Sequence, residues 1–115
     1  MVFTRYHGWR DEKGAHVAVY SGSGSRPLPL RLDLDNHSPT GFEWGYGGSG
    51  PAQLALALLA DALQDDGAAL RLHQPFKWQV IAKLSDRWLI NACDIVEFRN
   101  ANETGASERR SSPAD

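Results

Sequence analysis

Over the first third of the chain apolar and polar residues alternate, with Gly and Ser clustered between the alternating runs, which predicts short strands joined by turns. Phe3–His7 is the first such run. Asp11-Glu12-Lys13-Gly14 has turn composition, and Ala15–Tyr20 follows as a second strand with Val17 and Val19 on one face, so the pair predicts a hairpin. Ser21-Gly22-Ser23-Gly24-Ser25 reads as a flexible connection. Leu28, Leu30, Leu32 and Leu34 then recur at every second position, the cleanest strand pattern in the chain. Pro27 and Pro29 lack a backbone donor, so this strand is expected to start late or to run along a sheet edge.

The pattern changes at Asp35. Asp35–Gly41 is turn chemistry, and Phe42–Gly50 interleaves aromatics with glycines, which predicts a loop. Pro51 suits the first turn of a helix that Ser49 or Gly50 caps, and the helix is expected from about Pro51 to Gln64. Leu54, Leu56, Leu58, Leu59 and Leu63 wrap most of its circumference and leave Gln53, Ala57, Ala60, Asp61 and Gln64 as a narrow polar or small stripe, so it is expected to be buried. Asp65-Asp66-Gly67 should end it, Gly67 taking the left-handed conformation. Ala68–His73 fits a helical turn or a short strand. Pro75 then opens a second helix with Phe76, Val80, Ile81 and Leu84 inward and Lys77, Gln79 and Lys83 outward. Trp88–Ile90 predicts a short strand, and Asn91 with Asp94 the capped start of a last helix ending near Asn100. The expected fold is α+β, a small and mainly antiparallel sheet on a central buried helix with two shorter helices, in a single domain over residues 1–101.

Composition narrows this picture without redirecting it. At 115 residues the chain supports one core, and 42% apolar with 23% charged residues is the balance of an ordinary globular protein. Residues 102–115 hold two alanines as their only apolar residues and are expected to form a disordered tail. Twelve Lys and Arg against fourteen Asp and Glu leave a net charge of −2, which gives no bulk attraction for nucleic acid or an anionic membrane. No run of about 18 apolar residues occurs, and the first residues lack the basic-then-apolar order of a signal peptide. The single cysteine, Cys93, has no partner in the chain, so cytoplasmic residence is expected.

The chemistry-bearing segment is the glycine run. Gly45-Tyr46-Gly47-Gly48-Ser49-Gly50 satisfies G-x-G-x-x-G, with Asp65 and Asp66 following, but a loop in an antiparallel region precedes it where a dinucleotide fold needs a parallel βαβ unit. No Lys-Ser or Lys-Thr pair follows the last glycine, which excludes a Walker loop. The physics common to both motifs remains: glycines let backbone N–H groups approach a ligand, and a helix N-terminus attracts negative charge. The candidate site is therefore Gly47, Gly48, Ser49 and Gly50, with Tyr46 and Trp44 to stack on a planar ring, Arg10 (or Arg5) to pair with a phosphate, and His37 beside them. The bland alternative makes the glycines tight turns that let the loop pack under aromatics.

His37, Ser38 and Glu43 offer acid–base or nucleophilic chemistry. The alternatives are a turn in which His37 and Ser38 bond to backbone and, for Glu43 between Phe42 and Trp44, a carboxylate that reaches solvent or pairs with an arginine, the favoured reading over a catalytic acid in apolar surroundings. His7, His16, His37 and His73 show no metal-ligand spacing, so no zinc site and no cofactor are expected. Cys93 is expected to be a small buried hydrophobe without a catalytic role. Trp78 and Trp88 are assigned to the core, and Trp9 and Trp44 to a ligand or partner surface.

The run Asn36–Ala55, NHSPTGFEWGYGGSGPAQLA, together with Tyr6-His7-Gly8-Trp9-Arg10 and Phe76-Lys77, resembles the signature of a small bacterial family catalogued as a domain of unknown function and also found in phages and other mobile elements. The likeness covers about Arg5 to Phe98. It implies no catalytic residue, and by setting it implies host-defence antagonism or plasmid accessory work. The expected function is non-enzymatic binding of an anionic, nucleotide-like small molecule at the glycine loop. The alternatives are a protein-interaction module that inhibits a host enzyme through Trp9, Trp44 and Tyr46, and a hydrolase built on His37, Ser38 and Glu43.

Overall fold

The structure is a computed structural model and describes residues 3–104. Strands β1 (Thr4–Asp11) and β2 (Gly14–Ser21) pair antiparallel from Thr4 opposite Ser21 to Asp11 opposite Gly14, so the expected hairpin forms on a two-residue turn, with Gly14 at φ +118° closing it. β2 turns at once into β3 (Gly24–Pro27). After a long loop come helix α1 (Ser49–Leu63), helix α2 (Asp66–Gln79), a single 3₁₀ turn at Ile81–Lys83, strand β4 (Trp88–Asn91) and helix α3 (Ala92–Arg99). The chain then runs on as one wide turn over Asn100–Thr104, and the remainder of the expected tail lies outside the described residues. The sheet order is β3-β2-β1-β4, all antiparallel, which is the α+β class expected.

Register fixes which side of the sheet is buried. Tyr6 lies opposite Val19 and Ile90, and Gly8 opposite Val17 and Trp88, so these six residues share one face, and all six are buried. Gly8 is a spacing device: the Trp88 indole occupies the place a Cβ would take. His7, Trp9, His16, Tyr20 and Leu89 occupy the other face and keep partial exposure. His16 stacks on Trp9, and the His7 ring meets Tyr20 edge-on, so the open face carries its own aromatic cover.

The expected Leu28–Leu34 strand does not form. Two prolines remove ladder donors at its start, and Arg31 takes a left-handed conformation (φ 58°) that reverses the chain. The Arg31 guanidinium pairs with Asp33 and Asp66, and only Leu28 of the four leucines is buried. The edge strand is instead Gly24–Pro27, which takes in Gly24 and Ser25 of the segment read as a flexible connection.

α1 is buried around its whole circumference from Gly50 to Ala60, as the leucine distribution requires. It ends at Gln64 in the left-handed conformation, not at Gly67; Asp65 instead caps α2 by accepting the Ala68 N–H at 3.0 Å, and Gly67 lies inside that helix. Pro75 does not start a helix either. α2 runs straight through it, because Ala68, Ala69, Leu72, His73 and Phe76 form one buried stripe across the proline, and burying that stripe outweighs an interior-proline cost of about 3 kcal/mol. At α3 the expected cap is present, with the Asp94 carboxylate accepting the Asn91 N–H at 3.2 Å.

Sheet and α1 are joined by a polar contact as well as by packing. The fully buried Tyr6 donates its hydroxyl to Asp61 at 2.7 Å, and Arg26 from β3 grips the same carboxylate at 2.9 and 3.1 Å. Burial and the adjacent carboxylate push the Tyr6 phenol well above its ordinary value of 10.0. Replacing Tyr6 by Phe is expected to cost about 1.5–3 kcal/mol at neutral pH, the worth of a hydrogen bond to a charged group. The raised pKa adds a pH signature. Wild type loses stability above about pH 10, where the unfolded chain ionises a tyrosine that the fold keeps protonated, and Tyr6→Phe loses less over that interval. Urea unfolding at neutral and alkaline pH reads both effects. Leu58→Ala, at a position with no exposed surface, is expected to cost about 2–5 kcal/mol in the same assay.

Candidate functional site

Beyond Leu28, whose N–H reaches the Val17 carbonyl of β2 at 3.4 Å, the loop between β3 and α1 has no strand partner through residue 38, so its backbone groups need hydrogen bonds from elsewhere. A single side chain supplies four of them. Gln53, fully buried on α1, accepts the N–H groups of His37 (2.7 Å) and Ser38 (2.9 Å) and donates to the carbonyls of Leu30 (2.7 Å) and Asp35 (3.0 Å). Both donors and both lone pairs of the amide are used, and the position of His37 follows from them. Sequence reasoning placed Gln53 in the polar stripe of α1; its partners were invisible because they sit 15 to 23 residues away.

The next stretch is pinned by Trp44. Read as a surface residue because glycines surround it, Trp44 is instead 1% exposed; its indole N–H donates to the Ser85 carbonyl at 2.8 Å and its ring meets Trp88 edge-on. Arg10 lies over the same ring, 4.5 Å from its centroid, and donates to the Trp44 carbonyl at 2.7 Å, to Glu43 at 2.9 and 3.2 Å and to Asp86 at 2.7 Å. The guanidinium is thus already satisfied by two carboxylates and a carbonyl. Ser38 spends its hydroxyl on the Gly41 carbonyl at 2.7 Å, so His37, Ser38 and Glu43 each engage a different partner.

The glycines then receive specific neighbours. A Cβ on Gly47 would fall inside the Trp78 ring, one on Gly48 would meet the Tyr46 ring, and one on Gly50 would lie 2.7 Å from the Glu43 Cβ. Gly45, at φ +89°, donates its N–H to the Ile81 carbonyl at 3.0 Å. Gly48, not Ser49 or Gly50, is the N-cap of α1, and no side chain caps the helix. Pro51 has no N–H and that of Ala52 already bonds to the Gly48 carbonyl, so the free donors at this helix start are those of the exposed Ser49 and the buried Gly50. No acidic residue lies in the first turn.

Two residues from α2 complete the surface and reverse their expected roles. Trp78, assigned to the core, is 57% exposed, and Tyr46 is 52% exposed. Lys77, assigned to solvent, is buried; its ammonium lies 4.6 Å from the Trp78 ring centroid and makes no ion pair among the described residues. The i, i+4 stripe of α2 is set by Ala68, Leu72 and Phe76, which places Trp78 off the buried face, a phase that starting a helix at Pro75 obscures. Trp9 stays on the open sheet face, stacked on His16, away from this cluster. A surface depression of about 850 Å³ lies elsewhere, lined by Phe3, Thr4, Arg5, Gly22, Asn91, Ala92 and Cys93, the last of these exposed and not buried as expected.

The histidines also assemble in a way their spacing conceals. His37 Nε2 lies 3.0 Å from His73 Nε2 and 3.2 Å from Asp35 Oδ2, joining the loop to α2.

The sequence model of a family of unknown function, DUF6166, matches residues 6–101. The chain belongs to DUF6166. Neither the curated proteins nor the solved structures provide a match to it. Within this DUF6166 domain the matched region takes in every residue of the cluster just described, from Arg10 to Trp78, and Gln53 with its four partners. The domain's loop stands or falls with that amide. Gln53→Leu, which keeps the volume and removes all four hydrogen bonds, is expected to destabilise by about 3 kcal/mol or more, because two N–H groups and two carbonyls lose their partner together. Gln53→Glu keeps the acceptors for His37 and Ser38 but sets carboxylate oxygen against the Leu30 and Asp35 carbonyls, so it is expected to be destabilising too. Chemical denaturation of the three proteins checks the order, with wild type most stable.

Proposed function

We propose that this DUF6166 domain is a non-enzymatic binding protein whose contact surface is the glycine loop at the start of α1, and that its ligand is a small molecule with a planar ring and a negative charge, as in a nucleotide. The observation that carries the reading is the coincidence, on one surface, of an uncapped helix N-terminus, two half-exposed aromatic rings and a buried lysine without a carboxylate partner among the described residues. The rings of Tyr46 and Trp78 offer faces for stacking. The Ser49 N–H and hydroxyl, the positive end of the α1 dipole and the Lys77 ammonium offer stabilisation to an anionic group. Trp78 links the two, since its ring touches Gly47 on one element and carries Lys77 from another. Arg10 and Trp44 act behind this surface, holding the loop, and Glu43 beside Gly50 has its charge offset by Arg10. A reducing, cytoplasmic setting suits the free, exposed Cys93, and carriage on mobile elements, suggested by the signature run, is part of the same reading.

A second reading uses the same rings. Half-exposed Trp and Tyr side chains, here flanking the adjacent Gly47 and Gly48, are the residue types that anchor protein partners, so an inhibitor of a host enzyme would dock here through Tyr46 and Trp78.

Titration calorimetry with a panel of nucleoside mono-, di- and triphosphates, followed by the fluorescence of Trp78, tests the first reading. Saturable binding is expected, with quenching of the exposed tryptophan, and both are expected to fall at least about tenfold in Trp78→Ala or Lys77→Met, the loss of one good contact. No heat and no quenching with any nucleotide would overturn it. Capture of a host protein that is lost in Tyr46→Ala and indifferent to added nucleotide would establish the second.

A further inference from the structure

Three polar side chains that share no sequence motif converge where the loop after β3 meets α2. His73 is 6% exposed, and its Nδ1 lies 2.8 Å from the Leu70 carbonyl oxygen. A carbonyl has no proton to give, so Nδ1 carries the hydrogen and Nε2 of the neutral ring is left with a lone pair. That lone pair is directed at His37 Nε2, 3.0 Å away, which in turn lies 3.2 Å from Asp35 Oδ2, and the three groups offer ligand atoms no farther than 4.8 Å from one another.

We propose that Asp35, His37 and His73 bind one first-row divalent transition-metal ion, with zinc as the representative. The geometry supports this directly. Ligand atoms at about 2.0–2.1 Å from a tetrahedral ion stand about 3.3 Å apart, close to the two short separations that already exist here. The third separation, up to 4.8 Å between Asp35 and His73, has to close by about 1.5 Å, a shift that rotation of the partly exposed Asp35 side chain supplies. Two imidazoles and one carboxylate select borderline ions over calcium or magnesium, which prefer all-oxygen sites. Three protein donors leave a position for water.

What stands behind the ligands is equally organised. The Leu70 carbonyl fixes the His73 tautomer, the arrangement by which metal-binding histidines are usually oriented. Asp35 and His37 are both held through their backbones by the buried amide of Gln53, one by its carbonyl and the other by its N–H. The side chains of Asp35 and His37 remain partly open to solvent, 46% and 24% exposed, so an ion can enter from the surface. The Gln74 side chain approaches His73 Nε2 at 3.4 Å and swings clear without disturbing the helix. This site stands apart from the glycine-loop reading and does not depend on it. Its structural effect is to cross-link a loop that lacks strand partners to the helix beneath it.

Untagged full-length protein, stripped with a chelator, tests the proposal by titration with cobalt(II) and then zinc. One equivalent of cobalt is expected to produce saturating visible absorption that zinc displaces, and zinc is expected to raise the melting temperature. His37→Gln, in which the buried His73 is untouched, and Asp35→Asn are each expected to weaken binding by at least about tenfold, the loss that even a group behind the ligands typically causes. His16→Gln, on the open sheet face, is expected to bind as wild type does. Circular dichroism checks that each variant is folded before its binding is read. Absence of saturable binding, or binding that survives intact in the folded His37→Gln protein, would overturn the assignment.

Discussion

Gln53 is a neutral amide in the middle of a helix whose surroundings are otherwise leucine and alanine, and it has no exposed surface. Burying such a group alone is unfavourable by several kcal/mol, and a loop that runs beneath solvent without strand partners carries the same penalty on its backbone. The two deficits cancel. The four hydrogen bonds between Gln53 and Leu30, Asp35, His37 and Ser38 satisfy both sides at once, and they are what allows α1 to be surrounded completely, by helices and sheet on one side and by a loop on the other. The Asp35–Ser38 segment is positioned by this arrangement, and the start of the glycine loop by the Trp44 clamp that follows it.

The same logic recurs at the edges of the core. Asp61 at the far end of α1 is acceptable beside the sheet because Tyr6 and Arg26 both donate to it. Arg10 stitches β1 to the loop by spending its donors on Glu43, Trp44 and Asp86, which is why it serves as a structural clamp more than as a free cation. With those charges committed, two groups of polar and aromatic side chains remain outside these contacts: one of Lys77, Trp78, Tyr46 and Ser49, the other of Asp35, His37 and His73.

The sequence made the local features legible and the non-local ones obscure. The hairpin, the leucine-wrapped α1, β4 and the Asn91–Asp94 cap each depend on periodicity or on residues within four positions, and each is present. The leucine alternation at 28–34 misled because period 2 reports a strand only where a ladder exists, and Pro27, Pro29 and the left-handed Arg31 deny it one. Pro75 misled because tertiary burial of the α2 stripe overrides a strong local signal. Trp44 and Trp78 exchanged roles for a related reason: glycine neighbours suggested a surface, whereas Arg10, Ser85 and Trp88, at 34, 41 and 44 positions' remove, decide the burial. His37 and His73 were separated by 36 positions, and no spacing rule reaches that far.

The loop is held by a side chain from within the core, and amide hydrogen exchange reads that hold directly. The N–H groups of His37 and Ser38, both bonded to Gln53 Oε1, should exchange as slowly as those in the interior of α1, while neighbouring exposed loop amides such as that of Thr40 exchange rapidly. Exchange of His37 and Ser38 at the rate of an open loop would contradict it.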